Sequence, residues 1–293
     1  IWVAEMEQDH DEVEERISRL PQYRYMREKI YPKLRTVSFD FHLHRIDMVQ
    51  DTVWTTELDT VYMDGLQAIR DLDYKKAVEI FKAGNWQKYK QDWSGLKIAM
   101  DVSNGMASLF VRDIFGDQPA YIYEEMDGSF PNHEPNPLVQ KNVEDLKKLV
   151  AETRADIGVI FDGDADRVMF VDENSRFISP DLMIAVLGHY FLEERGEKGY
   201  IHQDIRSSKA VGEYLAPMGG VMNTWRVGRA YAALKLREID GVYGGELAGH
   251  YYFRDFFYSD SGLLAAILIL NVVAKMKAQG VSLSQLIGRI EKY

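Results

Sequence analysis

A short acidic segment near the middle of the 293-residue chain constrains the fold more than any other feature. It contains three aspartates that alternate with small residues: Asp162, Asp164 and Asp166. Arg167 follows directly, and the apolar runs 157–161 and 168–171 lie on either side. Both runs are rich in β-branched and aromatic residues and are too short for helices, so they predict strands. The acidic segment is therefore predicted to be a tight loop between two strands.

Three carboxylates this close together repel one another unless a cation compensates their charge. Oxygen ligands without any cysteine favour a hard ion, so the sequence predicts Mg²⁺ before Ca²⁺ or Mn²⁺. A solvated turn is the plain alternative, because aspartate and glycine are common in turns. An EF-hand, with Glu173 as its last ligand, is rejected because Arg167 stands where that loop needs glycine and strands replace the flanking helices. A dehalogenase-type loop would need its aspartates in a different order.

Composition narrows the class of protein. The chain is 46% hydrophobic and 28% charged, which is typical of a globular protein. A net charge of -11 argues against a general nucleic-acid binder, and an anionic substrate would need local positive charge. The start of the chain does not resemble a signal peptide and there is no cysteine, so we expect a cytoplasmic protein. The most apolar stretch, residues 263–273, is too short to span a membrane and predicts a buried helix.

Two series of strands and helices predict an α/β fold. The first begins with a strand at 96–102, the turn Ser103-Asn104-Gly105 and a helix at 106–114, and it continues through a helix that starts at 143. The second begins at Gly199 and alternates strands and helices, with a helix at 182–192 before it, helices at 209–215 and 230–237, and a strand at 222–227. This order is typical of α/β units. We therefore predict two α/β domains of similar plan, at about 75–180 and 181–293.

A second group of polar residues lies in the later domain. Glu246 and His250 stand on a turn flanked by glycines, where a ligand can approach the backbone closely. A carboxylate accepts hydrogen bonds from the vicinal hydroxyls of a sugar, and a histidine moves protons near neutral pH. Three arginines follow predicted strand ends: Arg206, Arg226 and Arg229. Together they suit a phosphate, although each one alone is typical of a surface residue.

These motifs together resemble the α-D-phosphohexomutases, the phosphoglucomutase/phosphomannomutase group. The resemblance rests on Phe130-Pro131-Asn132-His133-Glu134-Pro135-Asn136-Pro137, on residues 162–167, on residues 245–255 and on Asp260-Ser261-Gly262. It covers roughly residues 95–293. It implies successive phosphohexomutase-type α/β domains, with mixed sheets and helices on both faces. In that plan residues 1–74 are a remnant of domain one and a linker, 75–180 the metal-loop domain and 181–293 the sugar-binding domain.

The resemblance also implies an activity: reversible interconversion of hexose 1-phosphate and hexose 6-phosphate through a phosphoserine and a bisphosphate intermediate. The implied metal ligands for Mg²⁺ are Asp162, Asp164 and Asp166, with a phosphoserine oxygen completing the set. Arg167 would lie beside the transferring phosphoryl group, and His250 would carry a proton. The implied substrate-binding residues are Glu246, Ala248, Arg206 and Arg229. The implied partners are a hexose phosphate and a hexose bisphosphate, with no nucleic acid and no membrane.

Three departures from the family pattern shape these expectations. The serine loop of the Thr-Ala-Ser-His-Asn-Pro type and the phosphate loop of the Arg-Pro-Ser-Gly-Thr-Glu-Pro type are both absent from the sequence. We therefore expect a catalytically incomplete piece of a phosphohexomutase, inactive alone. Ala248 stands where the family usually has serine and Arg229 where it usually has histidine, which leaves the preferred sugar open.

Two other functions stay open. A non-catalytic sugar-phosphate or metal-binding module would also fit the departures at Ala248 and Arg229. Phosphoglucosamine mutase is a close relative, but its sugar loop usually has glutamine where Leu247 stands. A Mg²⁺-dependent phosphatase would need an attacking group, and the sequence offers no recognisable one.

Overall fold

The computed structural model describes Trp86 and residues 88–292, which form two five-stranded sheets. The predicted domain-one remnant, residues 1–74, lies outside the described residues. The first sheet consists of β1 (Ile98–Asp101), β2 (Ala120–Ile122), β3 (Ile157–Phe161), β4 (Val168–Asp172) and β5 (Phe177–Ile178). The second consists of β6 (Gly199–Asp204), β7 (Gly220–Trp225), β8 (Tyr243–Gly245), β9 (Tyr251–Phe253) and β10 (Ser259–Asp260).

The two sheets have the same topology. Their strand orders are β2-β1-β3-β4-β5 and β7-β6-β8-β9-β10, so the first strand of each lies between the second and third. The first three strands of each sheet run parallel to one another. The fourth strand pairs antiparallel with the third, and the fifth pairs antiparallel with the fourth. The predicted α/β class with mixed sheets is confirmed.

Seven α-helices accompany these sheets within the described residues. They are α1 (Val111–Phe115), α2 (Glu144–Thr153), α3 (Pro180–Gly188), α4 (Lys209–Leu215), α5 (Arg229–Glu238), α6 (Gly262–Ala278) and α7 (Leu283–Ile290). The hydroxyls of Ser208, Ser261 and Ser282 accept backbone N–H groups at the starts of α4, α6 and α7. Such serine caps satisfy donors that a helix leaves unpaired in its first turn, so local sequence sets where these helices begin.

Alternation along the strands places helices on both faces of the first sheet. Val159 and Phe161 belong to a large core that also contains residues of α3 and α6. Ile160, between them, packs in a separate cluster with Leu146 and Val150 of α2. Successive strand residues point to opposite faces, so a strand buried on both sides reads as a continuous apolar run.

Helix α6 is the buried helix that the apolar stretch predicted. Its residues 263–273 are all buried, and they contribute to the same core as strands of both sheets. Within residues 88–292, no single helix has the length and hydropathy of a membrane span. Helices α6 and α7 meet those criteria only as a pair, and the pair is bent by 102°.

Three predicted elements differ in detail. The helix predicted at 106–114 is a 3-10 turn, Met106–Leu109, followed by the short α1. The helix predicted at 182–192 ends as an α-helix at Gly188 and continues as a π-helical turn, His189–Glu194. The strand predicted at 222–227 ends at Trp225, because its partner β6 ends at Asp204, the residue paired with Trp225.

Candidate active site

The acidic loop lies at the tip of the hairpin formed by β3 and β4. Phe161 pairs with Val168, so residues 162–167 make the turn. One carboxylate oxygen from each of Asp162, Asp164 and Asp166 lies within 4.8 Å of the other two. The first of these side chains is buried, the second exposed and the third intermediate. A set made only of oxygen donors, with one side open, fits a hard cation such as Mg²⁺.

Arg167 holds Asp162 in place. The Arg167 Nε donates to Asp162 Oδ2 at 2.6 Å, and the Arg167 backbone N–H donates to Oδ1 at 3.2 Å. A buried carboxylate needs such partners, and an ionised carboxylate still has lone pairs left for an ion. Arg167 therefore orients a candidate metal ligand. Its side chain remains partly exposed beside that ligand.

The third acid of the loop, Asp166, has a perturbed pKa. Burial, followed by the negative charges of Asp162, Asp164 and Asp260, raises the pKa of Asp166 to about 6, although His250 acts in the opposite direction. Burial and nearby negative charges both disfavour the ionised form of a carboxyl group. A bound cation would reverse this balance, since the ion becomes the largest local charge.

The glycine-flanked turn joins β8 to β9. The Glu246 N–H donates to the His250 carbonyl at 2.9 Å, and the Gly249 N–H donates to the Glu246 carbonyl at 3.0 Å. Gly249 has φ of 87°, a conformation that glycine adopts without strain. The Glu246 side chain is buried, and its Oε1 accepts the Gly228 N–H at 3.1 Å. Burial raises the pKa of Glu246, and its second carboxylate oxygen has no hydrogen bond to a described residue.

His250 lies between two acids. Its Nδ1 is 2.8 Å from Asp260 Oδ2 and 3.9 Å from Asp166 Oδ2. Burial opposes protonation, but the hydrogen bond to Asp260 and the nearby charges outweigh it, so the pKa of His250 is raised. Because the Asp260 carboxylate holds the Nδ1 side of the ring, Nε2 is the nitrogen left for a ligand.

The two loops meet in direct contact. Arg167 and His250 form an antiparallel β-bridge, and the Val168 N–H donates to the Gly249 carbonyl at 3.2 Å. The first residue of α6, Gly262, lies so close that a Cβ there would be 2.7 Å from the Ala165 carbonyl oxygen. The acidic loop and the glycine-flanked turn thus form one polar site, although they are about eighty residues apart in sequence.

The three arginines have different surroundings. Arg229 Nε donates to Asp260 Oδ1 at 2.9 Å, and its Nη1 lies 3.4 Å from Asp166 Oδ2. Arg206 pairs with the buried Asp204 at 2.8 Å. The Arg226 guanidinium stacks 3.4 Å above the ring of Tyr231 instead. Of these three arginines, only Arg229 contacts the acidic loop.

Ala248 and Arg206 lie near the turn in different ways. Ala248 is partly buried between Glu246 and His250 and offers no side-chain donor or acceptor. Arg206 reaches the turn through Asp204, whose Oδ2 also accepts the Leu247 N–H at 2.9 Å. The predicted substrate-binding residues therefore surround one turn, but Arg206 acts on it through a shared carboxylate.

Sequence reasoning missed the roles of two buried acids, Asp204 and Asp260. Asp260 is bonded to both His250 and Arg229, and Asp204 anchors both Arg206 and the turn. Each ends a strand, and a polar residue at a strand end is the one signal that pointed to them. The oxygens of Asp166 and Asp260 and a ring nitrogen of His250 also lie within 4.8 Å, but the guanidinium of Arg229 already supplies a cation there.

Comparison with protein families decides the identity of this arrangement. Residues 74–175 match the model of phosphoglucomutase/phosphomannomutase, alpha/beta/alpha domain II. Residues 179–293 match the model of domain III of the same family. The chain belongs to the phosphoglucomutase/phosphomannomutase family. The acidic loop lies in its domain II, and the glycine-flanked turn lies in its domain III.

Individual relatives agree with this family assignment. The chain is 34% identical over 203 residues to a phosphomannomutase from Methanocaldococcus jannaschii, a match that covers 68% of this chain and 44% of the relative. A phosphoglucomutase/phosphomannomutase family protein from Burkholderia thailandensis is 28% identical with a TM-score of 0.59, covering 67% of this chain and 42% of that one. The chain thus spans less than half the length of these relatives.

A more distant solved structure shares the fold alone. N-acetylphosphoglucosamine mutase from Aspergillus fumigatus, solved with GlcNAc-6P and magnesium, is 13% identical with a TM-score of 0.53. The match covers 71% of this chain and 53% of that one. The described fold is therefore shared at low sequence identity.

Proposed function

We propose that this chain forms the metal-holding and sugar-recognising part of a phosphohexomutase. The intact enzyme would interconvert hexose 1-phosphate and hexose 6-phosphate through a phosphoserine and a hexose bisphosphate. The observation that carries the proposal is the contact between the acidic loop and the glycine-flanked turn, made by Arg167 and His250. A phosphoryl-transfer enzyme needs a cation site and a sugar site side by side, because its catalysis consists mainly of positioning and charge compensation.

The acidic loop would hold Mg²⁺ through Asp162, Asp164 and Asp166. Bound there, the ion would compensate the negative charge of a transferring phosphoryl group. Two features support this assignment: the donors are all oxygen, and burial together with the negative charges of neighbouring aspartates raises the pKa of Asp166. Arg167 would keep Asp162 oriented and add positive charge beside the phosphoryl group.

Glu246 and His250 would act on the sugar. Since Gly228 occupies only Oε1 of Glu246, the other carboxylate oxygen is available to accept sugar hydroxyls. His250 would take and return a hydroxyl proton at Nε2, because its Nδ1 is bound to Asp260. Arg206 and Arg229 would add positive charge for the substrate phosphate.

The sequence holds no recognisable serine loop and no phosphate loop of the Arg-Pro-Ser-Gly-Thr-Glu-Pro type. We infer that the intact enzyme supplies both from outside this chain and that this chain binds a hexose phosphate without converting it. The intact gene product, assayed with Mg²⁺ and a trace of hexose bisphosphate, should interconvert glucose or mannose 1-phosphate and 6-phosphate. Absence of conversion with every hexose phosphate would sink the proposal.

A non-catalytic sugar-phosphate module is the second candidate, and Arg229 is the observation that favours it. Its guanidinium lies against both Asp166 and Asp260, so part of the cluster's negative charge is already compensated. In that case the intact gene product would bind hexose phosphate but not turn it over. The conversion assay separates the two candidates, since binding is common to both.

A further inference from the structure

The proline-rich segment 130–137, here called the proline loop, supplies none of the site residues described above. The side chain of His133 is only 8% exposed, and its Nε2 lies 3.1 Å from Oδ2 of the fully buried Asp101. The other ring nitrogen, Nδ1, lies 2.9 Å from the Glu134 carbonyl oxygen. A carbonyl only accepts, so Nδ1 carries a proton, and Nε2 shares a second proton with Asp101. Such a charge-assisted hydrogen bond between buried partners is strong and specific in geometry.

The second oxygen of Asp101 fixes the turn that follows β1, here called the strap, residues 101–106. Asp101 Oδ1 accepts the Ser103 N–H at 2.8 Å. Ser103 and Asn104 both have left-handed backbone conformations, with φ of 54° and 53°. Residues with side chains adopt this conformation only at a cost, so it persists where surrounding contacts hold it. The His133–Asp101 pair is one of those contacts.

The strap forms hydrogen bonds with the acidic loop on both sides of Asp162. The Ser103 hydroxyl donates to the Phe161 carbonyl at 2.7 Å. The Met106 N–H donates to the Gly163 carbonyl at 2.9 Å. The two bonds therefore hold the residues immediately before and after a candidate metal ligand.

The fit between strap and acidic loop leaves no room for a side chain. A Cβ on Gly105 would lie 2.8 Å from the Gly163 carbonyl oxygen and 3.0 Å from that of Asp162. Contact between two backbones is stiffer than contact between side chains, because neither partner can change rotamer. A shift of the strap would therefore move the acidic loop.

The proline loop contacts both the acidic loop and the strap. A Cβ on Gly163 would lie 3.4 Å from the ring of Pro135, and the Asn132 side chain donates to Asn104 Oδ1 at 2.8 Å. Prolines restrict the backbone of this loop, so it acts as a rigid support. His133 joins it to the beginning of the strap, and Asn132 joins it to the middle.

We propose that His133, acting through Asp101, is a positioning residue for the acidic loop and raises its affinity for a divalent cation. The inference rests on the proposed metal site. Neither residue belongs to a group of side chains close enough to hold the ion. Their effect comes from the strap, since a loop already fixed in its binding geometry loses little conformational freedom when the ion binds.

The test is calorimetric titration of the full 293-residue chain with Mg²⁺, together with thermal unfolding without metal. H133N shortens the side chain, breaks the bond to Asp101 and should weaken binding by ~10–100-fold, as is typical for residues that orient metal ligands. H133Q places an amide nitrogen near the position of Nε2 and should restore most of the affinity. D164N removes a proposed ligand and gives the Mg²⁺ affinity expected when the site itself is lost.

His189 provides a matched control. Its side chain is equally buried and carboxylate-paired: Nδ1 lies 2.5 Å from Glu193 Oε2, and Nε2 lies 2.8 Å from the Tyr214 hydroxyl. It belongs to the other domain, in the π-helical turn. H189N should lower the unfolding temperature but leave Mg²⁺ affinity unchanged. An equal loss of affinity in H189N and H133N would overturn the proposal, because it would reflect general destabilisation.

The remaining outcomes also support or overturn the positioning role of His133. Folded H133N with wild-type affinity overturns the positioning role. If H133N does not fold, S103A replaces it, because it removes only the bond to Phe161: weaker Mg²⁺ binding supports the role, and unchanged binding overturns it. If the wild-type chain binds no Mg²⁺, the proposed metal site fails and the positioning role with it. If the wild-type chain binds Mg²⁺ and the substitutions H133N and S103A leave its affinity unchanged, the metal site stands and the positioning role alone fails.

Discussion

Domains II and III share one strand order, and the first strand of each ends in a buried aspartate. The partners of that aspartate differ between the two domains. Asp101 and Asp204 are both fully buried at the ends of β1 and β6, and each accepts a backbone N–H two residues later. In domain II the second oxygen of the aspartate is held by His133 of the proline loop. In domain III the corresponding oxygen binds Arg206 and the Leu247 N–H of the turn. The shared backbone plan thus supports two different chemistries.

The functional loops are also equivalent in topology. Residues 162–167 and 246–250 each join the third strand of a sheet to the fourth, antiparallel strand. In α/β sheets, ligands bind beyond the carboxyl ends of parallel strands, where such loops collect. Domain II presents three carboxylates there, and domain III presents one buried carboxylate and a histidine. In the proposed function, domain II therefore binds the cation and domain III binds the sugar.

The largest expected effect separates these two roles. D164N removes an exposed carboxylate and should weaken Mg²⁺ binding by more than the ~10–100-fold loss seen when a residue only supports a ligand. The fold should persist, because Asp164 is outside the core. E246Q should leave Mg²⁺ affinity unchanged but weaken binding of hexose phosphate. Calorimetry with each ligand checks both, and equal effects of the two variants on Mg²⁺ would contradict the division.

Contact between the domains can be tested next. G262A places a Cβ 2.7 Å from the Ala165 carbonyl, so it should lower the free energy of unfolding by ~1–3 kcal/mol, as overpacking does. Gly288 in α7 has open space around it, so G288A should be neutral or stabilising. Urea unfolding measures both. A destabilised G288A beside an unaffected G262A would show that the acidic loop does not pack on α6.

Binding of Mg²⁺ by the acidic loop should depend on pH. The pKa of Asp166 is raised from 3.8 to about 6 in the folded chain. In the metal-free chain this group therefore favours folding at low pH, and that contribution is lost as pH rises through about 6. Mg²⁺ requires the carboxylate, so its affinity should fall below pH 6 by up to ~10-fold per unit for one proton. Calorimetry on either side of that pH measures this, and a flat profile would contradict it.

The smallest effect concerns two arginines of domain III. Arg206 is held beside the turn by Asp204, whereas Arg226 stacks on Tyr231. R206Q should weaken hexose phosphate binding by ~10-fold, in line with a charged hydrogen bond, and R226Q by less than ~3-fold. Titration with glucose 1-phosphate compares them. A larger loss in R226Q would mean that its guanidinium leaves the ring to reach the ligand.

Sequence alone predicted the α/β class, and the structure brings the acidic loop together with Glu246 and His250. Strong motifs made this possible, because alternating aspartates between apolar runs leave few other arrangements. The roles of Asp204 and Asp260 were not predicted, because their partners are distant in sequence. Leu247 lies 43 residues beyond Asp204, and Arg229 lies 31 residues before Asp260. The π-helical turn at His189–Glu194 continues the apolar pattern of α3, so periodicity could not reveal it.

The central claim is that the acidic loop and the glycine-flanked turn form one site. Mn²⁺, used as a paramagnetic substitute for Mg²⁺, broadens NMR signals of nearby protons, and His250 Nδ1 lies 3.9 Å from Asp166 Oδ2. We predict that Mn²⁺ broadens the ring signals of His250, assigned with H250N, that those of His189 stay sharp, and that D164N abolishes the effect. Sharp His250 signals at saturating Mn²⁺ would contradict the claim.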